Sequence, residues 1–131
     1  MKINVHFEGN KKVIAQFQDY KVVTDQPITS GGDASAPSPF DMFLSSLATC
    51  AGIYVKGFCD NRQLPTNEIT LEQNVVMNTE TKVLEKISLK IFLPSNFIDK
   101  YDEAIINVAS LCLVKKQLKE SIKFEITIER K

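Results

Sequence analysis

Tryptophan is absent from this 131-residue chain, histidine occurs once, cysteine three times, and glycine and proline five times each. Each shortage removes a class of protein. A lone histidine, His6, has no second imidazole to share a zinc ion and no partners for the usual histidine-based triads. Cys50, Cys59 and Cys112 form no CxxC pair and have no zinc-ligand spacing, and an odd number of cysteines does not suit a disulfide framework. No metal and no cofactor is therefore expected, and the thiols read as free in a reducing compartment. The glycine-rich dinucleotide and phosphate loops, HExxH and GxSxG are all missing, which disfavours nucleotide-dependent and serine-hydrolase chemistry. Gly31-Gly32 alone reads as a flexible turn.

Excess charge of either sign is lacking too. Sixteen basic residues balance sixteen acidic ones without a basic run, so neither nucleic acid nor an anionic membrane surface would gain by counterion release. The longest apolar uncharged stretch, Met42 to Val55, is closed by Asp41 and Lys56 and falls short of the roughly 20 residues a bilayer span needs. It reads as a core helix. The N-terminus alternates charged and apolar residues instead of showing a signal-peptide core, and the expected location is the cytoplasm.

What is present is an ordinary globular composition, 44% hydrophobic and 24% charged, expected to form one domain over residues 1–131. Ile3, Val5 and Phe7 alternate with polar residues, Gly9-Asn10 offers a turn, and a second alternating run covers Lys12 to Phe17. Asp19-Tyr20 permits another turn and Tyr20 to Thr24 a third strand, before a loop rich in Gly, Pro and Ser from Pro27 to Pro39. Ser38-Pro39-Phe40-Asp41 then has helix-start chemistry: a serine N-cap, a proline at N1 and an acid at N3. The spacing of Phe40, Phe43, Leu44, Leu47, Cys50, Ala51, Tyr54 and Phe58 predicts a helix over 39–60 with one apolar stripe.

Alternating runs over 68–77 and 83–93 predict a second hairpin. Helical spacing from Phe97 through Cys112 to Leu118, with an interruption near Ser110, predicts one or two helices, and 122–129 a last strand. The order βββ-α-ββ-α(α)-β points to an α+β fold with antiparallel sheets around a long central helix. A helix of that length spans about 33 Å, more than two short sheets of the same chain readily cover, so a homodimer around that helix is expected.

The thiols carry the chemistry that remains. Cys50 lies on the apolar stripe of the first helix and Cys112 on that of the second helical region, so packing the stripes together brings two sulfurs near each other. If Cys112 begins a helix, the dipole there favours its thiolate. Cys59, two and a half turns beyond Cys50, reads as packing.

These residues also carry a family resemblance. The run from Ser38-Pro39-Phe40-Asp41 to Thr49-Cys50-Ala51, the preceding Gly31-Gly32-Asp33 loop and the distant Ala109-Ser110-Leu111-Cys112-Leu113-Val114 resemble the OsmC/Ohr family of thiol peroxidases, in its divergent short branch. The resemblance implies that Cys50 attacks an organic hydroperoxide or hydrogen peroxide and that Cys112 resolves the sulfenic acid as a disulfide. It further implies a lipoyl-type dithiol as reductant and a site built where two chains interlock. Asp41 then stands for the family's acid, displaced by one residue because Phe40 holds the glutamate position. Lys11 or Lys12 in the first hairpin turn stands for its arginine, since the only arginines are Arg62 and Arg130. Those replacements motivate an alternative: a binding module for a small apolar or thiol ligand, in an interface pocket lined by Phe40, Phe43, Tyr54 and Phe58. A persulfide carrier using Cys50 is a further reading.

Overall fold

The computed structural model describes residues 1–118, in two compact units divided between Ser46 and Leu47. The strand expected over 122–129 lies outside the described residues.

The first unit holds an antiparallel sheet of β1 (Asn4–Glu8), β2 (Lys12–Phe17) and β3 (Tyr20–Thr24), in that order. Glu8 pairs with Lys12 around a turn in which Gly9 takes a φ of 64°, a left-handed value that costs glycine little. Phe17 pairs directly with Tyr20, which places the second turn on Gln18-Asp19, one residue earlier than expected. Ile14 is the buried residue of this sheet, whereas β1 exposes every residue, Phe7 to 81%.

Beyond β3 the chain is organised by a buried acid. Asp25 is fully buried, and its carboxylate accepts hydrogen bonds from the Gln26 N–H (2.8 Å), the Ser35 N–H (3.0 Å) and the Ser35 hydroxyl (2.6 Å). The Ser35 hydroxyl and N–H do most to hold its pKa down, to about 2. Between these anchors Gly32 has no room for a side chain, because a Cβ there would lie 2.0 Å from the Gln26 carbonyl oxygen. Gly31-Gly32 is therefore a close backbone packing point as well as a turn.

Helix α1 (Pro39–Asp60) has the limits that its sequence predicts, begins in the first unit and ends in the second. At 22 residues it is long and apolar enough by itself to cross a bilayer, longer than the uncharged stretch suggested. Its buried residues are nevertheless core: Leu47, Ala51, Val55, Phe58 and Cys59 recur at three and four. This stripe differs from the expected one. Val55 and Cys59 lie on it, Tyr54 and Cys50 flank it half-buried, and Phe40 is exposed.

In the second unit β4 (Thr70–Met77) and β5 (Leu84–Phe92) pair antiparallel with Leu71 opposite Ile91 and Gln73 opposite Leu89. Helix α2 (Asp102–Ser110) supplies Ile105 and Ala109 to a core shared with Ala51, Val55, Phe58 and Cys59, against which Leu71, Leu89 and Ile91 pack. Fully burying a side chain of this size stabilises by about 1.5–3 kcal/mol. The chain breaks at Leu111 and resumes as the short helix α3 (Leu113–Gln117), with Cys112 as its N-cap.

Candidate active site

Two elements of the second unit bring Cys50 and Cys112 together, as their places on the helical stripes predict. Cys50 projects from the middle of α1, half-buried; Cys112, 3% exposed, stands where the chain turns from α2 into α3. The sulfurs are not bonded, and all three cysteines are free thiols.

A helix start leaves backbone N–H groups without partners inside the helix. At α3 these groups divide between the two sulfurs. The Lys115 N–H donates to Cys112 Sγ at 3.3 Å, an N-cap contact made by a thiol. The Leu113 N–H serves Cys50, and the Val114 N–H serves Cys50 foremost and Cys112 to a lesser extent. The Val114 N–H does most to hold the Cys50 pKa below its ordinary value, against burial, and the Cys112 thiol and the Leu113 N–H add to the lowering. For Cys112 the balance is reversed. Burial pushes its pKa up and the neighbouring Cys50 adds to the rise, outweighing the Lys115 and Val114 N–H groups. The expectation that a helix start would make Cys112 the acidic thiol is thus corrected: the same helix start acidifies the sulfur across from it. The single proton of Cys112 has two acceptors in reach, Cys50 Sγ and the Leu47 carbonyl oxygen at 3.8 Å.

The arrangement favours the thiolate at half-buried Cys50 and the protonated thiol at its neighbour Cys112. Cys59 has no part in it: the residue is fully buried in the core, and burial raises its pKa.

The other predicted residues fall in the first unit. Asp41 closes a capping box: Ser38 N–H and hydroxyl donate to its Oδ2 at 3.0 and 2.7 Å, and the Asp41 N–H donates to Ser38 Oγ at 3.2 Å. The Ser38 hydroxyl and N–H lower its pKa. Lys11 is exposed in the first hairpin turn and Lys12 opens β2. That turn is tied to the glycine loop, since Asn10 Nδ2 donates to the Gly31 carbonyl at 2.7 Å. Arg62 lies at the other end of α1's sequence, its guanidinium 3.8 Å from the Phe58 ring centroid. Arg130 is outside the described residues.

The four aromatics expected to line an interface pocket are divided between the two units. Phe58 is core, edge-on to Tyr101, and with Tyr54 faces only a shallow hollow beside Arg62. Phe40 and Phe43 stack on each other in the first unit. The larger cavity, about 650 Å³, runs along β5 and is bounded by Leu47, Ala51, Ala109 and Cys112. Sequence reasoning missed this cavity and the Leu113 and Val114 amides. The interruption near Ser110 was the signal for the amides, because a new helix start there frees them.

The model of the OsmC-like protein family matches residues 31–127. The chain belongs to this family. Solved OsmC-like structures share its fold. A Psychrobacter arcticus protein named for osmotic stress induction and a detoxification response superposes with a TM-score of 0.75 at 23% identity, covering 89% of this chain and 87% of the other. An OsmC-like protein from Mycoplasma pneumoniae gives 0.70 at 17% identity, covering 90% and 86%. A Vibrio cholerae protein named for organic hydroperoxide resistance, with captopril bound in one of its active sites, gives 0.58 at 15% identity, covering 91% and 85%. No curated protein sequence matches the chain. The OsmC-like assignment agrees with the α+β order and with the family's two cysteine-centred motifs, both of which fall inside the matched region.

Proposed function

We propose that this OsmC-like protein is a thiol peroxidase of the oxidative-stress response, reducing organic hydroperoxides or hydrogen peroxide. The observation that carries the reading is the division of labour at α3: Cys50 receives the donors that stabilise a thiolate, and Cys112 stands beside it with its proton. The Cys50 thiolate attacks the terminal peroxide oxygen, the O–O bond breaks, and the alkoxide takes a proton to leave as an alcohol, with Cys50 left as a sulfenic acid. Cys112 then attacks the sulfenic sulfur, water leaves, and a disulfide forms. A dithiol, of the lipoyl type that the family suggests, restores both thiols as its own sulfurs become a disulfide.

The reading extends to Asp41 and to Lys11 or Lys12 as the acid and the cation that order the thiolate and the departing alkoxide, in a cytoplasmic homodimer. Exposed apolar side chains support two interlocking copies, among them Val5 and Phe7 on β1, Ile53 on α1 and Leu113 on α3.

Treatment with one equivalent of cumene hydroperoxide is expected to remove two hydrogens, mapped by peptide mass spectrometry to Cys50 and Cys112. Unchanged thiols in the folded protein overturn the peroxidase. The cavity favours a second reading, a binding module for a small apolar or thiol ligand, and captopril bound by the Vibrio cholerae protein is such a molecule. Thermal stabilisation by captopril that survives Cys50→Ser, in a protein that consumes no peroxide, selects it.

A further inference from the structure

Helix α3 (Leu113–Gln117) is five residues long and buries none of them, and a helix of that length does not hold by itself in water. Among the described residues, the contacts that fix its start pass through sulfur. Cys112 Sγ accepts from the Lys115 N–H at 3.3 Å and donates to the Leu47 carbonyl on α1 at 3.8 Å, while Cys50 accepts from the Val114 and Leu113 N–H groups. Cys112, Lys115 and Leu118 in turn line the cavity of about 650 Å³ that runs along β5. Part of the cavity wall therefore hangs on the chemical state of two thiols.

We propose that α3 is a redox-sensitive latch: wound while both thiols are reduced, it unwinds when Cys50 and Cys112 are joined and takes Lys115 and Leu118 out of the cavity wall. This rests on the reading that the two cysteines form a disulfide, and it adds what that bond does to the protein around it. Joining the sulfurs passes two electrons to the oxidant, a peroxide or the azo bond of diamide, together with two protons. One proton comes from Cys112, the other from Cys50 or, where Cys50 is already a thiolate, from water.

Each contact at the start of α3 then weakens. The Leu47 carbonyl loses its donor, because Cys112 no longer carries a proton. The Val114 and Leu113 amides lose a charged acceptor, because a disulfide sulfur is neutral. The sulfurs are not bonded in the reduced protein, so forming the bond also draws Cys112 Sγ toward Cys50 and out of line with the Lys115 N–H. The backbone bonds that remain, such as Lys116 N–H to the Cys112 carbonyl at 3.0 Å and Leu118 N–H to the Lys115 carbonyl at 3.1 Å, are those of a single turn. Coupling runs both ways: a wound α3 favours the dithiol, so weakening α3 alone favours the disulfide.

The test uses full-length protein oxidised with diamide, so that the disulfide is made without any peroxidase step, and compares its backbone hydrogen exchange with that of reduced protein by mass spectrometry. Amides 113–118 are expected to exchange about tenfold faster after oxidation and to recover on reduction with a phosphine, while those of Asp102–Ser110 are unchanged. Unchanged exchange at 113–118 in the disulfide-bonded protein overturns the latch, and so does equal acceleration in α2 or failure of diamide to join the two cysteines. A diamide disulfide that cumene hydroperoxide cannot form would sink the peroxidase reading and leave the latch standing. Without any oxidation, Cys112→Ala removes both bonds of that sulfur and should speed exchange at 113–118, whereas Cys112→Ser, which keeps a donor and an acceptor, should speed it less. Equal exchange in Cys112→Ala and wild type overturns the latch. A second arm reads an equilibrium. Lys116 is exposed and outside the cavity wall, and Lys116→Gly lowers helix propensity, so its disulfide is expected to be favoured about threefold over that of wild type in a glutathione redox buffer. An unmoved equilibrium means that α3 is equally wound in both states, and overturns the proposal.

Discussion

The Cys112 sulfur lies 3.8 Å from the carbonyl oxygen of Leu47, the residue one turn before Cys50 on α1. The contact seats α3's N-cap on the helix that bears Cys50. It explains how one helix start serves two sulfurs: Cys112 is held against α1, and the next amides, Leu113 and Val114, point at Cys50.

Removal of the Cys112 thiol is therefore expected to reach the other sulfur. In Cys112→Ala the Cys50 thiolate loses a donor, and its pKa rises toward the ordinary thiol value. Iodoacetamide alkylation of Cys50, followed against pH by mass spectrometry, should show its midpoint shifted upward relative to wild type. Cys112→Ser, which keeps a donor, should shift it less. An unmoved midpoint in Cys112→Ala contradicts the contact.

Asp25 is expected to set part of the acid stability. Its folded pKa is depressed to about 2 from the ordinary 3.8, so its contribution is complete above the unfolded value and is lost as pH falls from about 4 toward 2. Asp25→Asn should unfold at lower urea concentration at neutral pH and show a flatter dependence of midpoint on pH across that window. Identical pH profiles for the two proteins would remove the carboxylate from this role.

Ser38 and Asp41 cap α1 reciprocally, and loss of an N-cap hydroxyl costs about 1 kcal/mol. Ser38→Ala should lower the unfolding free energy by that amount. Ser38→Thr, which keeps the oxygen, should lower it less, and circular dichroism melts will separate the two.

Ile105 is 1% exposed at the centre of the second unit's core. Truncation there leaves a cavity among Val55, Phe58 and Ala109, and Ile105→Ala is expected to cost about 2–5 kcal/mol in chemical denaturation. Ile105→Val should cost about 0.5–1.5 kcal/mol. A loss below the lower figure for Ile105→Ala would place Ile105 outside the load of this core.

Much of the scaffold is readable from local chemistry. The limits of α1 follow from Ser38-Pro39 and from apolar spacing, and the first hairpin turn from Gly9-Asn10. Such signals act within a few residues, where propensity, capping and turn conformation are decided. The family was legible for a related reason: its two cysteine motifs are contiguous runs, and the match over residues 31–127 spans them both. Even the proximity of Cys50 and Cys112 could be anticipated, since both fall at apolar spacing in helical regions that had to pack.

Tertiary structure decided the rest, because it depends on groups distant in sequence or on backbone atoms that side-chain patterns do not display. The acidic sulfur is an example. Residue spacing assigned the helix dipole to Cys112, yet packing aimed the Leu113 and Val114 amides at Cys50 and buried Cys112, which reversed the order of the two thiols. Asp25 became a buried anchor only when Ser35 folded back onto it, ten residues away. The stripe of α1 rotated to take in Cys59 once α2 supplied Ile105 as its neighbour, and the cavity opened onto Cys112 because α2, α3 and β5 meet there. Sequence alone determined the elements, the family and the two sulfurs; three-dimensional packing determined which sulfur is the more acidic and which faces the cavity, since hydrogen bonding and burial are properties of neighbours in space.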